Sequence, residues 1–335
     1  MRFPIEILSL STLVPALSIR PRTYSQLPLP SRLVYQFEEN NNWIENIAVR
    51  SNGDLLLSML TSPDVYLLSG PQTDSPKLTL LHHFDTLTGL LGITEAQPDD
   101  FIVVGGNFSG IGVAIPRTSS VWLMSLGRVS KVVDIPEIDF ANGMAALPWN
   151  RDIVLVSDSS NGQIFRLDTK KGTYEVVIDI PEMHVTPDAK LPIGVNGVRI
   201  KGHTLYWSNS ARKTLFKARL DESGAIASGA KVETIATLDV AFIDDISVDE
   251  YDNIWAVTNL DNRLIVVTPD GKSTVVEGAV DSLAVAGDTA SSFGRTPEDS
   301  EILYVVTGGG LGAPVNGTIT EPGKVVAVDT KGFFL

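Results

Sequence analysis

The chain has 335 residues, of which 43% are hydrophobic and 20% are charged, the composition of a globular protein that can bury a large core. Its formal net charge of −14 argues against nucleic acid as a partner, because an acidic surface repels the phosphate backbone. The absence of Cys excludes disulfides, thiolate metal sites and Cys nucleophiles together.

The N-terminal segment, residues 1–30, contains one early Arg, an apolar run and several small residues, a pattern shared with secretory signal peptides. Pro4 and Glu6 interrupt the run, so the segment is compatible with either a signal or an arm packed on the surface. Intracellular residence is therefore favoured over secretion. No uninterrupted apolar stretch of about 20 residues occurs, so no membrane span is expected.

Six pairs of strand-like segments follow, each rich in Val, Ile, Leu, Tyr or Trp and bounded by turn residues. The first members of the pairs begin at residues 54, 100, 152, 204, 253 and 302. A period of about 50 residues with several short strands per unit predicts an all-β, six-bladed propeller with four-stranded antiparallel blades. Because one blade cannot bury both of its faces alone, residues 31–335 are predicted to form a single domain.

A short segment before each pair is predicted to be the innermost strand of its blade. These segments are residues 45–50, 92–96, 142–147, 196–200, 244–249 and 282–287. The early segment 32–37 has no blade of its own, so it is predicted to close the ring by pairing with the C-terminal strands. The polar segment Asp288–Glu301 is predicted to be a lid or rim loop of the sixth blade.

Four side chains that carry oxygen stand at the starts of the predicted inner strands: Glu45, Asn142, Asn196 and Asp244. A propeller brings equivalent positions to one end of its channel, so these side chains are predicted to share a site. Two carboxylates in a partly buried site repel each other, and burial adds to the cost of their charges. Oxygen ligands without His or Cys suit a hard cation such as Ca²⁺ or Mg²⁺. At any single position, a turn residue entering a strand is the alternative.

Several neighbouring residues are candidates for the wall of the same site. Trp43 and Phe242 flank two of the proposed site residues, and Met144 follows a third, so these three are substrate-binding candidates for an apolar wall of the site. The second and sixth blades contribute Thr94 and Ser282 as further substrate-binding candidates.

At these residues the chain resembles the SMP-30/gluconolactonase/strictosidine synthase-like family of six-bladed propellers. The resemblance covers nearly the whole chain after about residue 30. It implies that Glu45, the two Asn-Gly positions Asn142 and Asn196, and Asp244 bind one divalent metal. The chain departs from the family pattern at Asp245, where a Gly is usual, and around Glu45, which lacks the usual Gly-x-Pro-x-Trp setting.

The stretch "WIENIAVRSNGDLLLSMLTSPDVYLL", residues 43–68, resembles a narrower fungal branch of this family. Some members of that branch are hetero-Diels–Alderases of tropolone sesquiterpenoid pathways, which join a tropolone o-quinone methide to a humulene-type terpene. The resemblance implies small-molecule substrates and a cyclase that needs no cofactor. A metal-dependent lactonase and a non-catalytic binding propeller with a structural ion are the alternatives.

Overall fold

The computed structural model describes residues 27–331 and 333, which form six four-stranded antiparallel sheets. The innermost strands of consecutive sheets contact one another in a closed circle around a central channel. The all-β, six-bladed propeller predicted from the sequence is therefore confirmed. The possible signal or arm in segment 1–30 falls almost wholly on residues outside the described part of the chain.

Each of the first three blades runs outward from its inner strand. Blade one contains β2 (Ile44–Val49), β3 (Leu55–Met59), β4 (Asp64–Ser69) and β5 (Lys77–His83). Blade two contains β6 (Gly89–Gln97), β7 (Asp100–Gly106), β10 (Ser120–Ser125) and β11 (Arg128–Asp134), with a small hairpin of β8 (Phe108–Gly110) and β9 (Val113–Ala114) between its second and third strands. Blade three contains β12 (Ala141–Leu147), β13 (Asn150–Asp158), β14 (Gln163–Asp168) and β15 (Thr173–Asp179).

The remaining three blades follow the same plan. Blade four contains β16 (Val195–Lys201), β17 (Thr204–Asn209), β18 (Thr214–Arg219) and β19 (Glu233–Thr237). Blade five contains β20 (Ile246–Val248), β21 (Ile254–Val257), β22 (Arg263–Val267) and β23 (Ser273–Gly278), and a 3₁₀ turn, η1 (Asn259–Asp261), joins β21 to β22. Blade six contains β24 (Asp288–Phe293), β25 (Ile302–Thr307), β26 (Lys324–Asp329) and β1 (Ser31–Gln36).

The hydrophobic core is divided into layers between adjacent blades. One layer joins Ile102 and Val104 of β7 to Val154 and Val156 of β13, all fully buried. Because the middle strands of a blade are covered on both faces, their sequences are rich in large apolar residues, as in β3 (LLLSM) and β25 (ILYVVT). Each blade thus depends on its neighbours for burial, as a repeat architecture requires.

The N-terminal strand closes the ring. Strand β1 pairs antiparallel with β26, with Ser31 opposite Val328 and Gln36 opposite Lys324. The first and last parts of the described chain therefore share one blade, which removes the open edge that β26 would otherwise present. This closure was predicted from the sequence and is confirmed.

The prediction for the inner strand of blade six is wrong. Residues 282–287 form turns between β23 and β24, and the inner strand is β24, which lies in the segment predicted to be a lid. The small polar residues of β24 suit this crowded position because their hydroxyl groups find partners there. Thr289 Oγ1 donates to the carbonyl oxygen of Ile44 over 2.6 Å, and Ser291 Oγ hydrogen-bonds with Ser247 Oγ over 3.1 Å.

Candidate active site

The four side chains predicted to converge line a single cavity of about 530 Å³ at one mouth of the channel. Glu45, Asn142, Asn196 and Asp244 come from four different blades, and each has 6% or less of its surface exposed. This end of the channel, called the carboxylate mouth below, is where every inner strand begins. Its volume lies within the range of small-molecule binding pockets.

Local irregularities in the inner strands position three of these side chains. The pairing of β2 with β3 shifts register between Ile44 and Asn46, which leaves Glu45 as the extra residue. Similar shifts in β12 and β16 enclose Asn142 and Asn196. A β-bulge turns a side chain away from the regular alternation of a strand and is common beside active sites.

Steric constraints explain the glycines that follow the two asparagines, Gly143 and Gly197. A Cβ at Gly143 would overlap the carbonyl oxygen of Asn196 and lie 2.9 Å from the Cα of Gly197. The inner strands of blades three and four therefore approach too closely here for any larger residue. The Asn-Gly pair thus combines a bulged polar side chain with a close contact between blades.

A hydrogen-bond network fixes the polar floor of the cavity. Asn196 Nδ2 donates to Asp244 Oδ1 over 2.9 Å, and Trp43 Nε1 donates to Glu45 Oε2 over 2.6 Å. Asn259 Nδ2 donates to Asp244 Oδ2 over 2.7 Å, so Asn259 is a site residue that the sequence analysis missed. It lies in η1 with a φ of 51°, in the left-handed region that Asn tolerates better than most residues.

Burial dominates the electrostatics of the two carboxyl groups. It raises the pKa of Asp244 to about 7, while the amide donors of Asn259 and Asn196 act in the opposite direction. Burial also raises the pKa of Glu45 well above its usual value, and repulsion from Asp244 adds to this effect. Near pH 7 a large fraction of Asp244 therefore retains its proton, and a protonated carboxyl group can donate a hydrogen bond.

The donor set also fits a hard divalent cation. Asn196 Oδ1 is buried and has no hydrogen-bond partner within the described residues, so an oxygen ligand is available beside the two carboxyl groups. Within residues 27–331 and 333, no group of three or more His, Cys, Asp or Glu side chains is arranged to hold a metal. A cation here would therefore need the amide oxygens of Asn142 and Asn196 besides Glu45 and Asp244.

The cavity is apolar on one side. Trp43 and Phe242, both predicted to contact substrate, line it. The sequence analysis missed the rest of the apolar wall, which comes from loops at the mouth: Ile111, Val113, Phe140, Leu191, Ile193 and Leu260. Val113 is 55% exposed and Ile111 is 46% exposed, which is unusual for large aliphatic side chains and is expected where a ligand covers them.

Three other predicted contact residues lie elsewhere. Thr94 and Met144 line a separate cavity at the opposite mouth of the channel. They stand further along their inner strands than the bulged positions, and each strand runs from one mouth toward the other. Ser282 lies in the turn between β23 and β24, where its hydroxyl accepts a hydrogen bond from the backbone N–H of Ala284.

Comparison with known proteins places the chain in a family. It is 34% identical over 319 residues to a protein of Phoma sp., and this alignment covers 86% of this chain and 89% of that protein. It is 33% identical over 343 residues to a protein of Sarocladium schorii, and this alignment covers 91% of this chain and 85% of that protein. Both proteins carry the name hetero-Diels–Alderase provisionally. The chain belongs to this hetero-Diels–Alderase family.

Several solved structures share the fold of the chain at low sequence identity. A luciferin-regenerating enzyme superposes with a TM-score of 0.64 at 14% identity, covering 91% of this chain and 96% of that one. The calcium-binding protein regucalcin from Agrobacterium tumefaciens gives a TM-score of 0.61 at 13% identity, covering 91% and 96%. These likenesses support the propeller fold of the chain. No family model matches the chain.

Over the described residues, no helix has the length and hydrophobicity needed to cross a membrane.

Proposed function

We propose that the protein is a hetero-Diels–Alderase that joins an o-quinone methide derived from a tropolone to a humulene-type terpene. The observation that carries this proposal is the pairing of a buried polar floor with an exposed apolar wall in one cavity. Such a cavity suits two partners of unequal polarity held side by side. The names of the two fungal relatives support the reaction class, and the tropolone and humulene identities rest on the resemblance of segment 43–68.

The reaction needs no oxidant, reductant or leaving group. The carbonyl oxygen and the exocyclic carbon of the quinone methide each form a new bond to one carbon of the terpene double bond. The π electrons of the three double bonds supply two new σ bonds and one new double bond within the former quinone methide. The protein therefore has to orient the partners and to stabilise charge that develops on the carbonyl oxygen.

Orientation supplies most of the rate enhancement in this proposal, because the main barrier between two separate partners is entropic. The polar partner sits on the floor, where Asn142 and a protonated Asp244 or Glu45 donate hydrogen bonds to its carbonyl oxygen. The terpene lies against Trp43 and Phe242 and extends toward the loops at the mouth. The raised pKa of Asp244 is what keeps a donor available at neutral pH.

The test supplies purified protein with a quinone methide precursor and a humulene-type terpene, and compares the products with those of the spontaneous reaction. We expect a changed rate and a changed ratio of stereoisomers. Asp244→Ala should return the mixture toward the spontaneous one, and Asp270→Ala, at an exposed turn, serves as the control. An unchanged mixture with the native protein would reject the proposal.

A second candidate is a divalent-metal-dependent lactonase, favoured by the unpartnered oxygen of Asn196 beside two buried carboxyl groups. Glu45, Asn142, Asn196 and Asp244 would hold the cation. When bound, such a cation polarises a carbonyl oxygen as a Lewis acid. The remaining role of this chain would be to move a proton through Asp244 or Glu45.

The same preparation separates the two candidates. A lactonase hydrolyses simple lactones and loses that activity with a chelator, whereas the cyclase changes product ratios with or without the chelator. A protein that does neither would be a binding propeller whose site holds a structural ion.

A further inference from the structure

A second cavity lies at the opposite mouth of the channel, away from the carboxylate mouth. Its volume is about 380 Å³, and five of the six inner strands contribute to its wall. A neighbouring depression of about 370 Å³ shares four of its residues, so the space extends across the rim. Those shared residues are Arg199, Ile200, Ser292 and Arg295.

Three guanidinium groups line this cavity, which is called the arginine mouth below. Arg151 lies on β13, Arg199 lies on β16, and Arg295 follows β24, so three blades each supply one. Their side chains are 37%, 24% and 40% exposed, respectively. In a chain with a formal net charge of −14, such a concentration of positive charge needs a reason.

The arginines are held in place before any ligand arrives. Arg151 Nε donates to the carbonyl oxygen of Ala96 over 2.5 Å, and Arg295 Nη1 donates to that of Val49 over 2.9 Å. Backbone carbonyl groups carry no net charge, so these bonds fix the orientation of the side chains without neutralising them. Fixed guanidinium groups lose less conformational entropy when they bind an anion.

Two carboxylates offset only part of the charge. Glu95 accepts from Arg295 over 2.6 Å and lies 3.4 Å from Arg151, and its other oxygen accepts from the backbone N–H of Asp99. Asp245 accepts from Arg199 over 2.7 Å. Within the cavity itself three positive groups thus meet two negative ones, and the adjoining depression adds Lys201, Asp249 and Glu250 at the rim. The bonds of Arg295 within the described residues run through Nη1, so its Nε–H and Nη2–H groups remain for a ligand or solvent.

Apolar side chains also line the cavity: Ile47, Ile93, Met144, Ala145 and Ile200. A small inorganic ion would leave this surface against water, whereas an organic anion would cover it while its charged group meets the guanidiniums. We propose that the arginine mouth binds an organic oxyanion, a carboxylate or phosphate group on an apolar frame.

The test is calorimetric titration of the full chain at low salt with three probes: 2-naphthoate, its neutral analogue 2-naphthalenemethanol, and inorganic phosphate. We expect naphthoate to bind most tightly, phosphate weakly and the alcohol weakly or not at all. Binding of naphthoate should also weaken as salt is raised, since the exposed arginines are screened. Equal affinity for naphthoate and the alcohol would overturn the proposal, because it would place both probes on the apolar wall of the carboxylate mouth.

Variants locate the binding. Arg295→Gln and Arg199→Gln should each weaken naphthoate binding by about tenfold or more, since each removes a charge-assisted hydrogen bond. Arg166→Gln is the matched control, because Arg166 is 31% exposed and pairs with Glu175 on an outer strand. If Arg199→Gln does not fold, naphthoate binding to Arg295→Lys provides a second test. This variant keeps the positive charge and loses the planar guanidinium that can bind a carboxylate through two hydrogen bonds. Equal affinities for the native chain, Arg295→Gln and Arg166→Gln would overturn the proposal.

Discussion

At the carboxylate mouth, two acids are buried with amide and indole donors as their neighbours. At the arginine mouth, two guanidiniums pair with Glu95 and a third pairs with Asp245. The same inner strands build both ends, so the difference comes from which residues the strands and their connections place there. A channel of this kind can therefore carry two unlike sites without any change in the fold.

The connections between strands differ between the two ends as well. The carboxylate mouth receives the long connections, residues 107–119, 180–194 and 308–323, and two of them supply its apolar wall. The arginine mouth receives short turns, such as residues 98–99 and 202–203, and one longer connection, residues 294–301, which contains Arg295. Long loops tolerate variation in sequence and length, so the carboxylate mouth is the end where substrate specificity can change at low cost to the fold.

The largest expected effect is on the pH dependence of the free energy of unfolding, and it comes from the buried acids Asp244 and Glu45. The folded-state pKa of Asp244 is about 7 and its ordinary value is 3.8, so the folded chain binds more protons than the unfolded chain between these pH values. The free energy of unfolding should therefore fall as pH rises from about 4 to about 7, by on the order of 4 kcal/mol from this group alone. Glu45 shifts in the same direction.

Denaturant unfolding measured across this pH range checks the sign. Asp244→Asn should flatten the fall, and Asp270→Asn, at an exposed turn where neighbouring donors lower the pKa to about 2, should not. Added Ca²⁺ would restore stability at the upper end of the range if the acids hold a cation. Stability that rises with pH and is insensitive to Asp244→Asn would show that the acids are compensated.

The next effect tests the close approach of blades three and four at Gly143. Gly143→Ala places a Cβ against the backbone of Asn196, so the free energy of unfolding should fall by about 3 kcal/mol. Gly110→Ala is the control, since its Cβ would meet only Val113 Cγ2, at 3.8 Å. Thermal unfolding of both variants measures the difference. Equal stability of the two variants would mean that the inner strands of blades three and four move apart at little cost.

The sequence predicts the architecture well because the outer strands repeat their chemistry. Five of the six inner strands were located from short segments before each pair, and Glu45, Asn142, Asn196 and Asp244 stand out as polar residues at their starts. The sixth was missed because β24 is polar and small, whereas residues 282–287 have the more strand-like composition. Packing against the neighbouring inner strands determines which segment becomes the inner strand of blade six, and no local sequence pattern reveals that packing.

The parts of the site that come from connections could not be predicted in the same way. Asn259 reaches Asp244 from a 3₁₀ turn after a strand, and Val113 follows a Gly in a segment that resembles an ordinary loop. Asn142 and Met144 are two residues apart on β12 but line opposite mouths. The direction of a side chain beyond a bulge depends on the register with the next strand, which the sequence alone does not specify.

A smaller effect tests the polar floor. Asp244→Ala removes the proposed donor to the quinone methide and should lower the rate of product formation by on the order of a hundredfold. Arg295→Gln, at the other mouth, should leave that rate unchanged if the two ends act independently. Single-turnover measurements with saturating partners separate the chemical step from binding. A similar loss in both variants would mean that the mouths are coupled through the channel.

The smallest effect tests the apolar wall. Val113→Ser should raise KM for the terpene about fivefold, because covering a half-exposed Val contributes roughly 1 kcal/mol, and kcat should change little. Thermal stability should stay the same, since Val113 is already 55% exposed. Val176→Ser, at a 43% exposed position on the outer strand β15, is the matched control. If both substitutions leave KM unchanged, the terpene does not rest on the β8–β9 hairpin, and the contrast between the mouths lies in their charges alone.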